Sequence, residues 1–379
     1  MSELVTTSGA RVLAAYPCRV ANLKPGENRR STVRDVAATA GLSVATVSRV
    51  LAGNYPTSED AKRRVLAAVE ELDYVVNSHA RRLAGQGTRT VAILVEQVTS
   101  YFFAAVAQGV EEQASTDGRL CLVCTTGGDP AKELALINML REQGTDAVII
   151  VGGFRPSQEY EVRMARYAES LWGSGSVLVL CGRPPLEAEV PHIVVAYDNE
   201  DGAYAATSHL ASKGHEQIAF VGGTPGVTTL ESRLAGWRRA LEDRGLPSTD
   251  REMLGAPTEA FGYSAVTERL AEGRDFTAIL AYNDYVAAGI LRAVREAGVD
   301  VPGEVSLVGY DDTTLGANLT PALTTVAIPS RELGRTAVRM ALEARAEPVL
   351  SSARETVLAT HVVVRDSVRS MTPERRRGA

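Results

Sequence analysis

Two short amphipathic segments separated by Gly41-Leu42-Ser43 constrain this chain most, because residues 32–52 read as a pair of helices crossing over a three-residue turn. Thr32, with Asp35 three residues on, has the side chains to satisfy the free amides at a helix start. Val36, Ala37 and Ala40 share one face of that helix. Gly41 supplies the backbone freedom for the turn and Leu42 fills the space between the helices. Ser43 then caps a second helix that turns Val47, Val50 and Leu51 inward. Facing outward are Val44, Ala45, Thr46, Ser48 and Arg49, short polar and methyl-bearing groups near a helix start with an arginine one turn on. Such a face suits base edges and phosphates in a DNA major groove. The competing reading is a generic pair of helices in some helical domain.

The segments C-terminal to this pair favour DNA. A third helix is expected from a capping box at Thr57-Ser-Glu-Asp60, with Val65, Leu66, Val69 and Leu72 inward. Beyond Tyr74, Asn77 can cap a helix of one to two turns ending at Gly85, too short to be stable alone. The chain as a whole carries a net charge of −6, which excludes a uniformly basic nucleic-acid binder. The charge is segregated, however. Residues 29–89 hold ten Lys/Arg against six Asp/Glu, a local +4 that leaves −10 for the rest. A basic head of that kind engages phosphates, and its binding falls steeply with salt.

Past Thr88 the pattern changes to alternating apolar strands and amphipathic helices. Strands are expected at 91–95, 120–125, 147–151 and 177–181 in one lobe, and at 193–195, 218–221, 252–255, 278–281 and 305–309 in a second. Two open parallel sheets side by side place their carboxyl-end loops around a shared cleft, where a ligand belongs. At 379 residues and 45% hydrophobic content, the chain has room for a large packed core. The C-x-x-C of Cys121 and Cys124 lies inside an apolar strand with no second cysteine pair or histidine cluster, so it reads as a buried strand rather than a metal site. Gly152-Gly153 and Gly222-Gly223 are strand-end turns and not phosphate loops, since no G-K-[ST] comes after them. Four of the histidines, His192, His209, His215 and His361, lie in separate segments, so neither a metal, a cofactor nor an organised catalytic group is expected. Neither a membrane-spanning apolar run nor a convincing signal peptide is read, which places the protein in the cytoplasm.

The Val33-Arg-Asp-Val-Ala opening, the Ala-Gly-Leu-Ser turn, Thr46-Val-Ser-Arg-Val-Leu51 and Tyr74-x-x-Asn77 together resemble the lactose/galactose repressor (LacI/GalR) family of transcription regulators. The resemblance runs over about residues 31 to 366. One departure is Val76, where the family usually carries proline. Residues 1–30, mixed polar with scattered arginines, read as a disordered extension or an over-called start. The resemblance implies an α/β chain with a helix-turn-helix head over 31–76 and a hinge helix and linker over 77–88. It also implies a two-lobe core like a periplasmic binding protein over 89–366, and a flexible tail over 367–379. The helix from Arg331 to Ala344 should return to the first lobe, and a strand from Val357 to Val364 should pack on the second.

For the head, the resemblance places Thr32, Ser43, Val44, Ala45, Thr46, Ser48 and Arg49 on DNA, joined by Asn77, Ala80 and Arg81, with Leu83 as an apolar wedge at the operator centre. For the cleft it implies Arg233 and Asp311 as polar effector contacts, with Asn283 and Arg183 beside them and Phe102 and Phe261 as stacking faces, core packing being the competing reading for both aromatics. Asp312 reads as structural. Glu96-Gln-Val-Thr-Ser-Tyr-Phe-Phe103 and Gly182-Arg183 depart from the usual family residues at two polar effector contacts. The expected function is a homodimeric, ligand-responsive regulator, a repressor released from a palindromic operator by a small molecule, with a sugar the first expectation and a purine-like, phosphorylated or carboxylated ligand the alternative. A transport-type binding protein accounts for the core alone, and an enzyme finds no organised site.

Overall fold

A computed structural model describes residues 31–52, 56–74, 89–346 and 353–371. The chain divides into two compact units, one up to Gln86 and one from Gly87 onward. Asn77, Ala80, Arg81 and Leu83, with the short helix expected to end at Gly85, lie outside the described residues, as do residues 1–30.

The N-terminal unit contains α1 (Val33–Ala40), α2 (Val44–Ala52) and α3 (Glu59–Glu71) around Val36, Val47 and Val65, which are fully buried. Thr32 and Asp35 form the reciprocal cap, with Thr32 N donating to Asp35 Oδ2 at 2.8 Å. Gly41 takes the left-handed conformation at φ 60° that the turn requires. Arg64 of α3 donates to the Gly41 carbonyl at 3.1 Å and so ties the turn to the third helix. The cap of α3 is Ser58 and not Thr57, with Ala61 at the third position, so the expected box is absent. The core face of α3 is accordingly Ala61, Val65 and Ala68. Leu66, about 100° around the helix from Val65, is 52% exposed rather than inward.

The second unit opens with β1 (Thr90–Val95), α4 (Tyr101–Thr116), β2 (Leu120–Thr125), α5 (Pro130–Gln143), β3 (Ala147–Val151), α6 (Gln158–Gly173), β4 (Val177–Cys181) and β5 (Ile193–Tyr197). Then come α7 (Asn199–Ser212), β6 (Ile218–Val221), α8 (Thr228–Glu242), β7 (Glu252–Met253), α9 (Glu259–Glu272), β8 (Ala278–Ala281), α10 (Asp284–Glu296), β9 (Ser306–Val308) and α11 (Thr314–Asn318). The described chain continues through β10 (Thr325–Ala327), α12 (Ser330–Ala346), β11 (Arg354–Leu358) and β12 (His361–Val363).

Six parallel strands in the order β11-β5-β4-β3-β1-β2 form the first lobe's sheet, and four in the order β7-β6-β8-β9 form the second. Strands covered on both faces read as unbroken apolar runs. Val91, Ile93 and Val95 face one core cluster, while Ala92 and Leu94 face another that contains residues of α5 and α6. On the first face α4 and α12 cross so closely that a Cβ on Gly109 would lie 1.9 Å from the Arg331 carbonyl oxygen. Only glycine permits that approach.

Several expectations are corrected. β5 belongs to the first sheet, where Ile193 pairs with Val179, and α7 is what carries the chain into the second lobe. The strand expected over 357–364 is two strands. β11 pairs with β5 in the first sheet, and β12 pairs antiparallel with β10, because the chain passes between lobes at Ala359-Thr360. α12 does pack on the first lobe, against α4. β2 is an edge strand and not a buried one, with Leu120 70% and Val123 49% exposed, and Cys121 and Cys124 pack into different clusters.

The tail expected from residue 367 is instead bound through Met371. Ser367 donates to the Leu307 carbonyl at 2.6 Å and accepts from Thr324 N, and His215 Nε2 lies 3.2 Å from the Arg369 carbonyl. A buried serine there satisfies backbone groups that would otherwise be orphaned. The passages between lobes are tied together, since Asp198 N donates to Leu358 O and Thr360 Oγ1 donates to Asp198 O.

Candidate functional site

In the head, α2 presents its outer face through local capping. Ser43 Oγ accepts from Thr46 N at 3.1 Å and lies 2.8 Å from Thr46 Oγ1, which holds the first turn of the helix and commits both hydroxyls to it. Val44, Ala45, Ser48 and Arg49 are exposed while Val47 is fully buried. Arg49 has no hydrogen bond or ion pair among the described residues, so its guanidinium is available to an outside partner. Thr32 sits one helix away, its hydroxyl donating to Asp35 Oδ2 at 2.7 Å.

In the core, the carboxyl ends of both sheets open into a cleft of about 830 Å³. Arg233 of α8 is 3% exposed and is held on every side. Its Nε donates to Asn199 Oδ1 at 2.9 Å, Nη1 to the Tyr282 carbonyl and Nη2 to Asp311 Oδ1 at 3.1 Å. The guanidinium also lies 3.7 Å from the Tyr310 ring centroid and 4.7 Å from that of Tyr282. Burial opposes the Arg233 charge, but Asp311 and the surrounding tyrosines outweigh it and raise its pKa. For Asp311 burial is the larger influence, so its carboxyl stands above the ordinary range although Arg233 pulls it down. Asp311 adopts φ 97°, an uncommon conformation for a residue with a side chain. Its second oxygen has no partner among the described residues, and the residue lines the cleft.

The other expected residues divide. Asn283 caps α10 by accepting from Val286 N at 2.9 Å, and it lines the cleft. Arg183 lines the opposite wall, donating through Nε to the Gly152 carbonyl at 2.6 Å and through Nη1 to Tyr160 Oη at 3.1 Å. Phe102 lines the cleft with its ring 5.6 Å from that of Tyr197. Phe261 is not among the lining residues. Thr258 caps α9 at the Phe261 amide, and the Phe261 ring packs over Gly255, where a Cβ would lie 2.1 Å from it. Pro257, Thr258 and Glu259 reach the cleft in its place. Asp312 pairs with Arg365 at 2.6 Å.

Sequence reading missed the aromatic lining. Tyr197 ends β5, Tyr282 comes directly after β8, and Phe154 stacks on Tyr160 with centroids 3.7 Å apart. Position at a strand's carboxyl end was the available signal for the first two.

Asp284, the weaker contact candidate beside Asn283, does not line the cleft. It is fully buried, accepting from Thr313 N and Oγ1 at 2.6 and 2.9 Å and from Thr325 Oγ1 at 2.7 Å, with no cation paired to it among the described residues. Burial pushes its carboxyl up to about 6 from 3.8. The folded chain therefore holds a proton that the unfolded chain releases, so this group's contribution is full below the unfolded value and is lost as pH rises through about 6. Asp284→Asn is expected to flatten the decline in stability over that window, as measured by urea unfolding at pH 4.5 and pH 7 on both proteins. Identical slopes would contradict this account.

Comparison with known proteins bears on both units. Residues 32–77 match the family described as bacterial regulatory proteins, lacI family, and residues 207–368 match the periplasmic binding protein-like domain. The HTH-type transcriptional regulator GalR of Salmonella typhimurium is 36% identical over 313 residues, covering 82% of this chain and 89% of its own length. The structure of the Lac repressor dimer bound to operator and the anti-inducer ONPF aligns with a TM-score of 0.78 at 26% identity, covering 90% of this chain and 100% of that one. The structure of the transcriptional regulator CelR with cellobiose aligns with a TM-score of 0.65 at 29% identity, covering 89% and 100%. Among the described residues no helix is long and apolar enough to cross a membrane.

Proposed function

The chain belongs to the lacI family of bacterial transcription regulators, and from that premise we propose a dimeric repressor whose α2 reads a palindromic operator and whose cleft binds a sugar or sugar derivative that releases it. It is a regulator of transcription and not an enzyme. The observation that carries the ligand reading is the Arg233–Asp311 pair, buried in the cleft with one carboxylate oxygen left over and the Phe102 face beside it. A fixed charged pair gives vicinal hydroxyls both a donor and an acceptor, and an aromatic face accepts the apolar side of a sugar ring.

The dimer reading is supported by the Lac repressor structure and by the unpaired, apolar edge of β2. One three-helix head makes too few contacts for strong discrimination, so two heads reading two half-sites supply it. Residues 31–76 form the reading head, 77–88 the hinge with Leu83 as wedge, and the core from residue 89 the effector switch. Lobe movement on effector binding then changes the affinity for operator by linkage. The protein works in the cytoplasm, beside the chromosome.

Selected operator fragments and a metabolite screen, read by fluorescence anisotropy, test this. Arg49→Ala is expected to weaken operator binding by about 1–3 kcal/mol and to relax selectivity at one symmetric pair of positions. A uniform loss over all sequences would assign Arg49 to phosphate, and unchanged affinity would remove it from the interface.

A further inference from the structure

The outer face of the first lobe carries a second cavity. Where α4 meets α12, α7 meets α8 and α9 meets α10, Gly109, Gly236 and Gly289 each let a neighbouring backbone come within contact. α5 and α6 meet without a glycine, because Gly173 is the first in either and lies at the end of α6 with nothing near it. A trench of about 760 Å³ runs between them. Ile137 and Tyr167 line it and are buried, while Leu134 and Val162 stand 46% and 52% exposed. Near one end Arg163 pairs with Glu133 at 3.4 Å, and at the other Arg141 donates to Ser170 at 2.5 Å.

Three arginines, Arg141, Arg163 and Arg166, line the trench against the single carboxylate of Glu159. Arg166 is exposed and has neither an ion pair nor a hydrogen bond among the described residues. Tyr167 is only 4% exposed, yet its hydroxyl has no partner among them either. A buried hydroxyl without a partner is costly, and apolar side chains left in water forgo about 25 cal/mol per Å². Polar bridges at both ends exclude a continuous peptide lying through the trench, whose length from Glu133 to Arg141 is about 12 Å.

We propose that this trench is a second ligand site that takes an amphipathic carboxylate, its apolar chain between Leu134 and Val162 and its head group on Arg141 and Arg166. The trench shares Glu159 and Arg163 with the cleft, but Val162 and Arg166 line the trench alone, so variants there report on it separately. Titration calorimetry of the full chain with sodium decanoate tests it. Saturable binding is expected, with Val162→Glu and Arg166→Glu each weakening it by about tenfold and decanol binding about tenfold more weakly than decanoate. Both positions are exposed, so the fold tolerates the changes. Absence of decanoate binding, wild-type affinity in both variants, or equal affinity for decanol would each overturn the proposal. So would an acidic peptide that binds at these residues where decanoate does not.

Discussion

Arg233→Ala is expected to lower the unfolding free energy of the core by about 3–5 kcal/mol, because it leaves a buried carboxylate at Asp311 without its cation. Three hydrogen bonds and two ring contacts converge on this guanidinium from Asn199, Tyr282, Asp311 and Tyr310, so the residue braces the cleft as well as lining it. A cleft arginine that served the ligand alone would change effector binding and little else. Pairing Arg233→Met with Asp311→Asn removes both charges and is expected to recover a large part of the lost stability. The single Asp311→Asn variant leaves the Arg233 cation unpaired and is expected to lose stability as well as the effector response, though less than Arg233→Ala because an amide oxygen can still accept from Arg233. Denaturant unfolding of the three variants decides the matter. A loss below about 1 kcal/mol for Arg233→Ala would show that the pair is a weak, solvated one.

The second large effect is expected at Gly109. Valine there has to displace the α12 backbone at Arg331, or the α4–α12 contact has to open, at a cost of about 3 kcal/mol or more. Gly173→Ala is the matched control, since nothing lies within 4 Å of the added carbon and the residue ends α6. That change is expected to be neutral or to stabilise by up to about 1 kcal/mol. Thermal unfolding of both variants under one condition is the measurement. Equal midpoints would mean that the helices separate freely.

How much of the fold and the cleft was legible in the sequence depended on the range of each interaction. Thr32 with Asp35, Gly41 at the turn and Ser43 with Thr46 are contacts within four residues, and residue type alone specifies them. The cap of α3 slipped from Thr57 to Ser58 because both residues can cap, and burial of Ala61 and Val65 chose between them. Phe261 shows the limit of carrying a family position across. Its place near a helix start was readable, but the absence of a Cβ on Gly255 drew the ring into the second lobe's core.

By itself the sequence determined the reading head, the alternation of strand and helix, and the presence of a cleft at strand ends, because periodicity, capping and turn chemistry act over a few residues. Tertiary structure alone decided that β5 and β11 complete the first sheet, that β2 is an edge and that residues 367–371 are held by β9, Thr324, Lys213 and His215. It also decided that Arg233 is gripped by residues 34 to 78 positions away. A strand's apolar run states that both faces are covered but not by which neighbour. That choice belongs to the whole chain, where burial and hydrogen bonding are satisfied together.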